Sequence, residues 1–133
     1  MTTELFYLVL SALLLSSLWI PFVVGVNMHG KEPISDSMTK VLPVQRLPDW
    51  VQRANRVHLN LAEQFPAFAA VVIVLHLLDI STIVTVWAAS LYFWLRIGHA
   101  IVMWAGIAVP VRPMIFTTSW LCIIVLGWQV FAG

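Results

Sequence analysis

Arg53–Leu78 reads RANRVHLNLAEQFPAFAAVVIVLHLL, and it changes character halfway along. The first half places Arg53, Arg56, Asn60 and Glu63 at spacings of three, four and three, which on a helix turning about 100° per residue keeps them within roughly 80° of one another. The second half is apolar apart from His76. A helix that begins polar and continues apolar is one that enters a membrane from water. Pro66 removes a backbone donor inside it, so a kink is expected near that position.

Working outward, Asp79, Ile80 and Ser81 leave room only for a tight connection, so the next span must lie antiparallel to this one as an αα-hairpin. That span covers about 82–107 and carries Arg96 and His99 in otherwise apolar sequence. Pro110 and Pro113 punctuate a short loop before a further apolar run over 114–132. Upstream, 5–26 is an uncharged stretch long enough, at about 1.5 Å per residue, to cross a hydrocarbon core of roughly 30 Å. A cleaved signal is disfavoured because no Lys or Arg precedes this run and no small-x-small site follows it. Residues 27–52 hold Gly30, Pro33, Pro43, Pro48 and charges of both signs, the pattern of an aqueous loop. The expected fold is therefore all-α. It is an integral-membrane left-handed four-helix bundle, with one domain over 1–133, spans near 5–26, 53–78, 82–107 and 114–132, and a cytoplasmic loop at 27–52.

Composition agrees with that reading. Of 133 residues, 61% are hydrophobic and 10% charged, against about a quarter charged in soluble domains. A formal net charge of +1 excludes a basic-patch nucleic-acid binder. The single cysteine, Cys122, can form neither an intrachain disulfide nor a thiolate metal site alone, and no metal is implied. The tryptophans read as interfacial belts and packing.

Lys31, Lys40, Arg46, Arg53 and Arg56 cluster in or beside the first loop, Arg112 sits in the third, and Arg96 lies nearer that end of its span. By the positive-inside rule that side is cytoplasmic and both termini lie outside. An exporter of similar size would need an ionisable residue deep in the first span, where the only acid is Glu4 at its edge.

A charge at membrane depth is costly and by default marks a function. With Ile80 as pivot, Glu63 lies seventeen residues before it and Arg96 sixteen after, so the two share a depth. Asn60 and His99 form the next layer. Arg96 and His99 stand one turn apart on one face. A stripe of cations, an amide and a carboxylate faced by Arg and His is expected to form a polar pocket open to the cytoplasm. Fixed cations suit an anionic ligand with carboxylates that Arg can grip, while Glu63 suits a ligand ammonium or pairs with Arg96. Glutathione satisfies these demands, as would other anions. Polar residues between membrane helices can also serve only as association glue.

The segment Arg53-Ala54-Asn55-Arg56-Val57-His58-Leu59-Asn60-Leu61-Ala62-Glu63, with Pro66 after it, resembles the signature R-x-x-R-A-x-x-N-x-x-E of the MAPEG family, the membrane-associated proteins of eicosanoid and glutathione metabolism. Arg96-Ile97-Gly98-His99 looks like the family's R-x-x-H on the third helix. Arg112 falls where members carry an arginine at the start of the fourth, and the resemblance covers essentially the whole chain. It implies a homotrimer, of bacterial inner-membrane type, with periplasmic termini. Glutathione would act as co-substrate at a cytoplasm-facing site between subunits. Arg53, Arg56, Asn60, Glu63, Arg96 and His99 would form that site, and Arg112 would be the catalytic residue stabilising the thiolate. A lipophilic electrophile would arrive from the membrane lipids. The implied activity is that of a glutathione transferase or peroxidase. The alternative is a non-catalytic protein holding an anionic lipid or metabolite in the same pocket. Met103 and Phe116 replace tyrosines often seen in the family, Gln52 replaces an acid, and Leu59 replaces a basic residue.

Overall fold

The computed structural model describes residues 1–29, 44–107 and 110–132. Four helices run through them: α1 (Thr3–His29), α2 (Asp49–Leu77), α3 (Ile83–Trp104) and α4 (Val111–Ala132). All four are long and apolar enough to cross a membrane, and no strand occurs among the described residues. The expected all-α four-helix bundle is what forms.

The helices extend past the apolar runs they contain. Asn27–His29 continue α1, and α2 starts at Asp49, so helix takes both described ends of the 27–52 stretch. Pro48, extended at φ −54°, ψ 149°, stands immediately before α2, and Asp49 places a negative charge in its first turn, where the helix dipole favours it. A 3-10 turn over Val44–Arg46 precedes it, and Gln52 ties the two together by donating from Nε2 to Leu47 O at 2.7 Å. Lys31 and Lys40 lie outside the described residues. The helix assignment of α2 runs unbroken through Pro66.

The hairpin between α2 and α3 is closed by hydrogen bonds. Asp79 adopts φ 54°, a left-handed position that Asp tolerates better than most residues, and Ile80 N–H reaches Leu75 O at 2.9 Å. Thr82 then caps α3 through a reciprocal exchange with Thr85. At the far end of α3, Gly106 at φ +74° turns the chain, with Ile107 N–H on Val102 O at 3.1 Å.

One stripe of α2 faces the bundle interior: Val51, Ala54, Val57, Leu61, Gln64, Phe68, Val72 and Leu75, all buried at alternating three- and four-residue spacing. It meets Ala88, Ala89 and Tyr92 of α3 and Ile123 and Leu126 of α4. Phe68 stacks on Tyr92 with ring centroids 3.9 Å apart. These two residues are equally far from Ile80, so the pivot chosen from sequence gives the true register. In lipid the gain comes from such close packing and not from expelling water.

Candidate functional site

The register brings Arg96 against α2 one turn nearer the polar end than depth alone suggests. Its Nη1 donates to Asn60 Oδ1 at 3.0 Å, and Glu63, the expected partner, points elsewhere. The reason is angular. With the buried stripe of α2 pointing inward, Asn60 and Arg53 lie roughly 90° from its centre, and Arg56 and Glu63 roughly 150°, by the helical repeat. Arg56 and Glu63 are accordingly exposed, while Arg53 and Asn60 are half-buried. The polar stripe therefore splits: one edge turns into the hairpin and the other faces out of the bundle. Of the polar pocket expected from sequence, open to the cytoplasm, Arg53 and Asn60 thus lie toward the interior, while Arg56 and Glu63 lie on the outer surface of the bundle.

Arg96 is 2% exposed, an extreme position for a cation in a membrane bundle. Its guanidinium carbon sits 5.4 Å from the Tyr92 ring centroid and 5.6 Å from that of Phe116, so two aromatic faces and one amide carbonyl surround it. Its Nε and Nη2 have no hydrogen-bond partner among the described residues. His99, also 2% exposed, leaves Nε2 in the same condition. Arg96 and Arg112 both lie near enough to His99 to act on its charge, which places two guanidinium cations, from α3 and the start of α4, around one imidazole. Arg112 is half-buried in the first turn of α4, where the helix dipole disfavours a cation.

Arg53 takes a different position. Its guanidinium carbon lies 3.7 Å from where a Cβ on Gly106 would stand, so it packs on the C-terminal turn of α3. Such a cation suits the carbonyl end of a helix.

Three contributors escape a reading by charge. Gln64, in the inward stripe, accepts from Ser119 Oγ at 3.3 Å. Tyr92 and Phe116 make the aromatic walls of Arg96. The available signal was spacing: Tyr92 precedes Arg96 by four residues, and Gln64 is the one polar member of a buried apolar series. Met103 is buried, so neither it nor Phe116 brings a hydroxyl to the cluster.

Chemically, the arrangement presents guanidinium, imidazole and amide groups, with no carboxylate hydrogen-bonded to Arg96 among the described residues, and Glu63 lies on the outer face. It is suited to an anion that also carries an ammonium. The family model described as the MAPEG family matches residues 5–132. No curated protein and no solved structure matches the chain.

Proposed function

Because the chain belongs to the MAPEG family, we propose that this integral membrane protein binds glutathione and uses its sulfur to conjugate or reduce lipophilic electrophiles. The observation that carries this reading is the buried Arg96–His99 pair beside Arg112. Arg96 is a buried cation with no carboxylate partner among the described residues, and a buried unpaired charge costs several kcal/mol, by order of magnitude, unless an anion meets it. A net-anionic tripeptide meets that need with its carboxylates.

Arg56 and Glu63 extend the site onto the outer face of α2. Charged groups at that depth avoid lipid by facing a second copy of the chain, which supports a site between subunits. The homotrimer is the assembly that the family resemblance implies, and the basic loops put the site on the cytoplasmic side. Arg56, Asn60 and His99 bind the peptide there, and Glu63 receives its ammonium. Arg112 favours the ionised sulfur over the thiol. The thiolate attacks an electrophilic carbon, forming C–S as the bond to an oxygen leaving group breaks, or a peroxide oxygen, forming S–O as O–O breaks. The shed proton ends on the departing oxygen, and a second glutathione reduces the sulfenic acid formed from the peroxide to disulfide and water. Holding sulfur and electrophile together supplies the remaining acceleration.

The test is direct. Glutathione added to the purified protein should produce the ultraviolet band of a thiolate, and Arg112→Ala should abolish it with binding retained. No band in the parent protein counts against a catalytic role. The second reading, a non-catalytic protein binding an anionic lipid or metabolite, draws support from Met103 and Phe116, which supply no hydroxyl to a thiolate. Native mass spectrometry that retains lipid but not glutathione favours it.

A further inference from the structure

An asparagine side chain carries both hydrogen-bonding characters on one planar group, an accepting carbonyl and a donating NH2, whereas a guanidinium only donates. The 3.0 Å contact between Arg96 Nη1 and Asn60 therefore admits only Oδ1 as the acceptor. This fixes the amide by chemistry. With Oδ1 turned to α3, Nδ2 is directed away from Arg96. Nδ2 is neither bonded to a described group nor buried, in contrast to Arg96 Nε and Nη2. Asn60 is half-buried, and the exposed Arg56 and Glu63 stand one turn to either side of it along α2, on the adjacent outward-facing edge.

Arg96 is itself held firmly enough to act as a template. Its guanidinium is flanked by the rings of Tyr92 and Phe116, and Tyr92 is stacked on Phe68. The next amide along α2, Gln64, also has its carbonyl taken from within the bundle, by Ser119 Oγ.

We propose that Arg96 is a positioning residue: it holds the Asn60 amide so that a donor faces the ligand, selecting an acceptor oxygen there, carboxylate or peptide carbonyl, and rejecting an amine. This deepens the glutathione reading and rests on it for the identity of the ligand. It also changes the part assigned to Arg96 from sequence, from direct contact with the ligand to control of the residue that makes the contact.

The experiment uses the full chain in nanodiscs with 15N-labelled asparagine, of which there are three, Asn27, Asn55 and Asn60. Glutathione is the probe. In the parent, saturating glutathione should shift the Asn60 NH2 pair. Asn60→Asp keeps an acceptor for Arg96 but turns a second acceptor toward the ligand, so affinity should fall by about tenfold or more while Tm holds or rises. Arg96→Met frees the amide, so its NH2 pair should split or broaden in the ligand-free protein, and Arg96→Lys, which keeps a donor, should restore a single sharp pair. The proposal is overturned if Asn60→Asp binds as tightly as the parent, if glutathione leaves the Asn60 pair unmoved, or if Arg96→Met leaves that pair unchanged. A parent that binds no glutathione overturns the ligand reading and the recognition half of this proposal. The ligand-free spectra of Arg96→Met and Arg96→Lys still decide whether Arg96 holds the amide.

Discussion

Glu4 shows how much a residue's surroundings decide. In sequence it is an acid at the edge of the first apolar run. In the fold it is 3% exposed, accepting at Oε1 from Ser81 Oγ at 2.9 Å and from Thr85 Oγ1, so it pins the start of α1 to the α2–α3 turn and the first turn of α3. Removing it cuts both side-chain hydrogen bonds, while Thr85 Oγ1 keeps Thr82 O as an acceptor at 2.9 Å. Glu4→Ala should lower stability by about 1–3 kcal/mol through the loss of hydrogen bonds to a charged group, and Glu4→Gln, which keeps an acceptor, by less. Thermal unfolding in detergent reads both, and equal losses would show that the carboxylate's charge, not its hydrogen bonds, matters. Phe116 makes the same point from the other side. As a departure from the family's tyrosine it reads as a loss, yet its ring forms one wall of the Arg96 guanidinium.

At the scale of elements, the approach of α1 to α2 depends on one missing side chain. A Cβ on Gly25 would lie 2.5 Å from Val51 Cγ2 and 2.9 Å from Trp50, and Val51 is wholly buried. Small residues at such crossings let membrane helices come together. Gly25→Val should therefore separate the two helices and cost about 1–3 kcal/mol, the range for overpacking. Gly127→Ala is the control: nothing lies within 4 Å of that position, so it should be neutral or slightly stabilising through helix propensity. Thermal unfolding of the two variants side by side gives the comparison. The hairpin joining α2 to α3 is legible from its three short residues, and the Phe68–Tyr92 stack follows from counting outward from Ile80. The C-terminal turn of α3 was less legible. The apolar run continues to Ile107, but the helix closes at Trp104 because Gly106 can take a positive φ and satisfy the last carbonyls.

For the whole molecule, the asymmetry of the basic residues predicts which side each loop occupies. Cys122 is the only cysteine, so topology can be read in a Cys122→Ser background. Asp79→Cys should react with a membrane-impermeant maleimide added to intact cells, and Arg46→Cys only after permeabilisation. The reverse pattern would invert the protein and move the cationic cluster to the outer face. Bundle exteriors fit the same picture: Trp87, Trp94 and Trp128 are among the most exposed side chains, at 70, 58 and 69%. In a soluble protein that surface would be a liability, whereas in a bilayer it is solvated by lipid.

The sequence by itself determined the fold class, because an apolar run of membrane length can satisfy its backbone only as a helix, and four predominantly apolar runs leave little choice of architecture. It also singled out the candidate site residues, since Arg53, Arg56, Asn60, Glu63, Arg96, His99 and Arg112 stand out against apolar surroundings. What only the tertiary structure decided is which way each of them faces. A stripe spread over roughly 80° still straddles the boundary between the interior and the outer face of a helix, and periodicity reports relative angle, not absolute direction. Packing set that direction by burying Val57, Leu61, Gln64 and Phe68, which turned Asn60 toward Arg96 and left Arg56 and Glu63 outside.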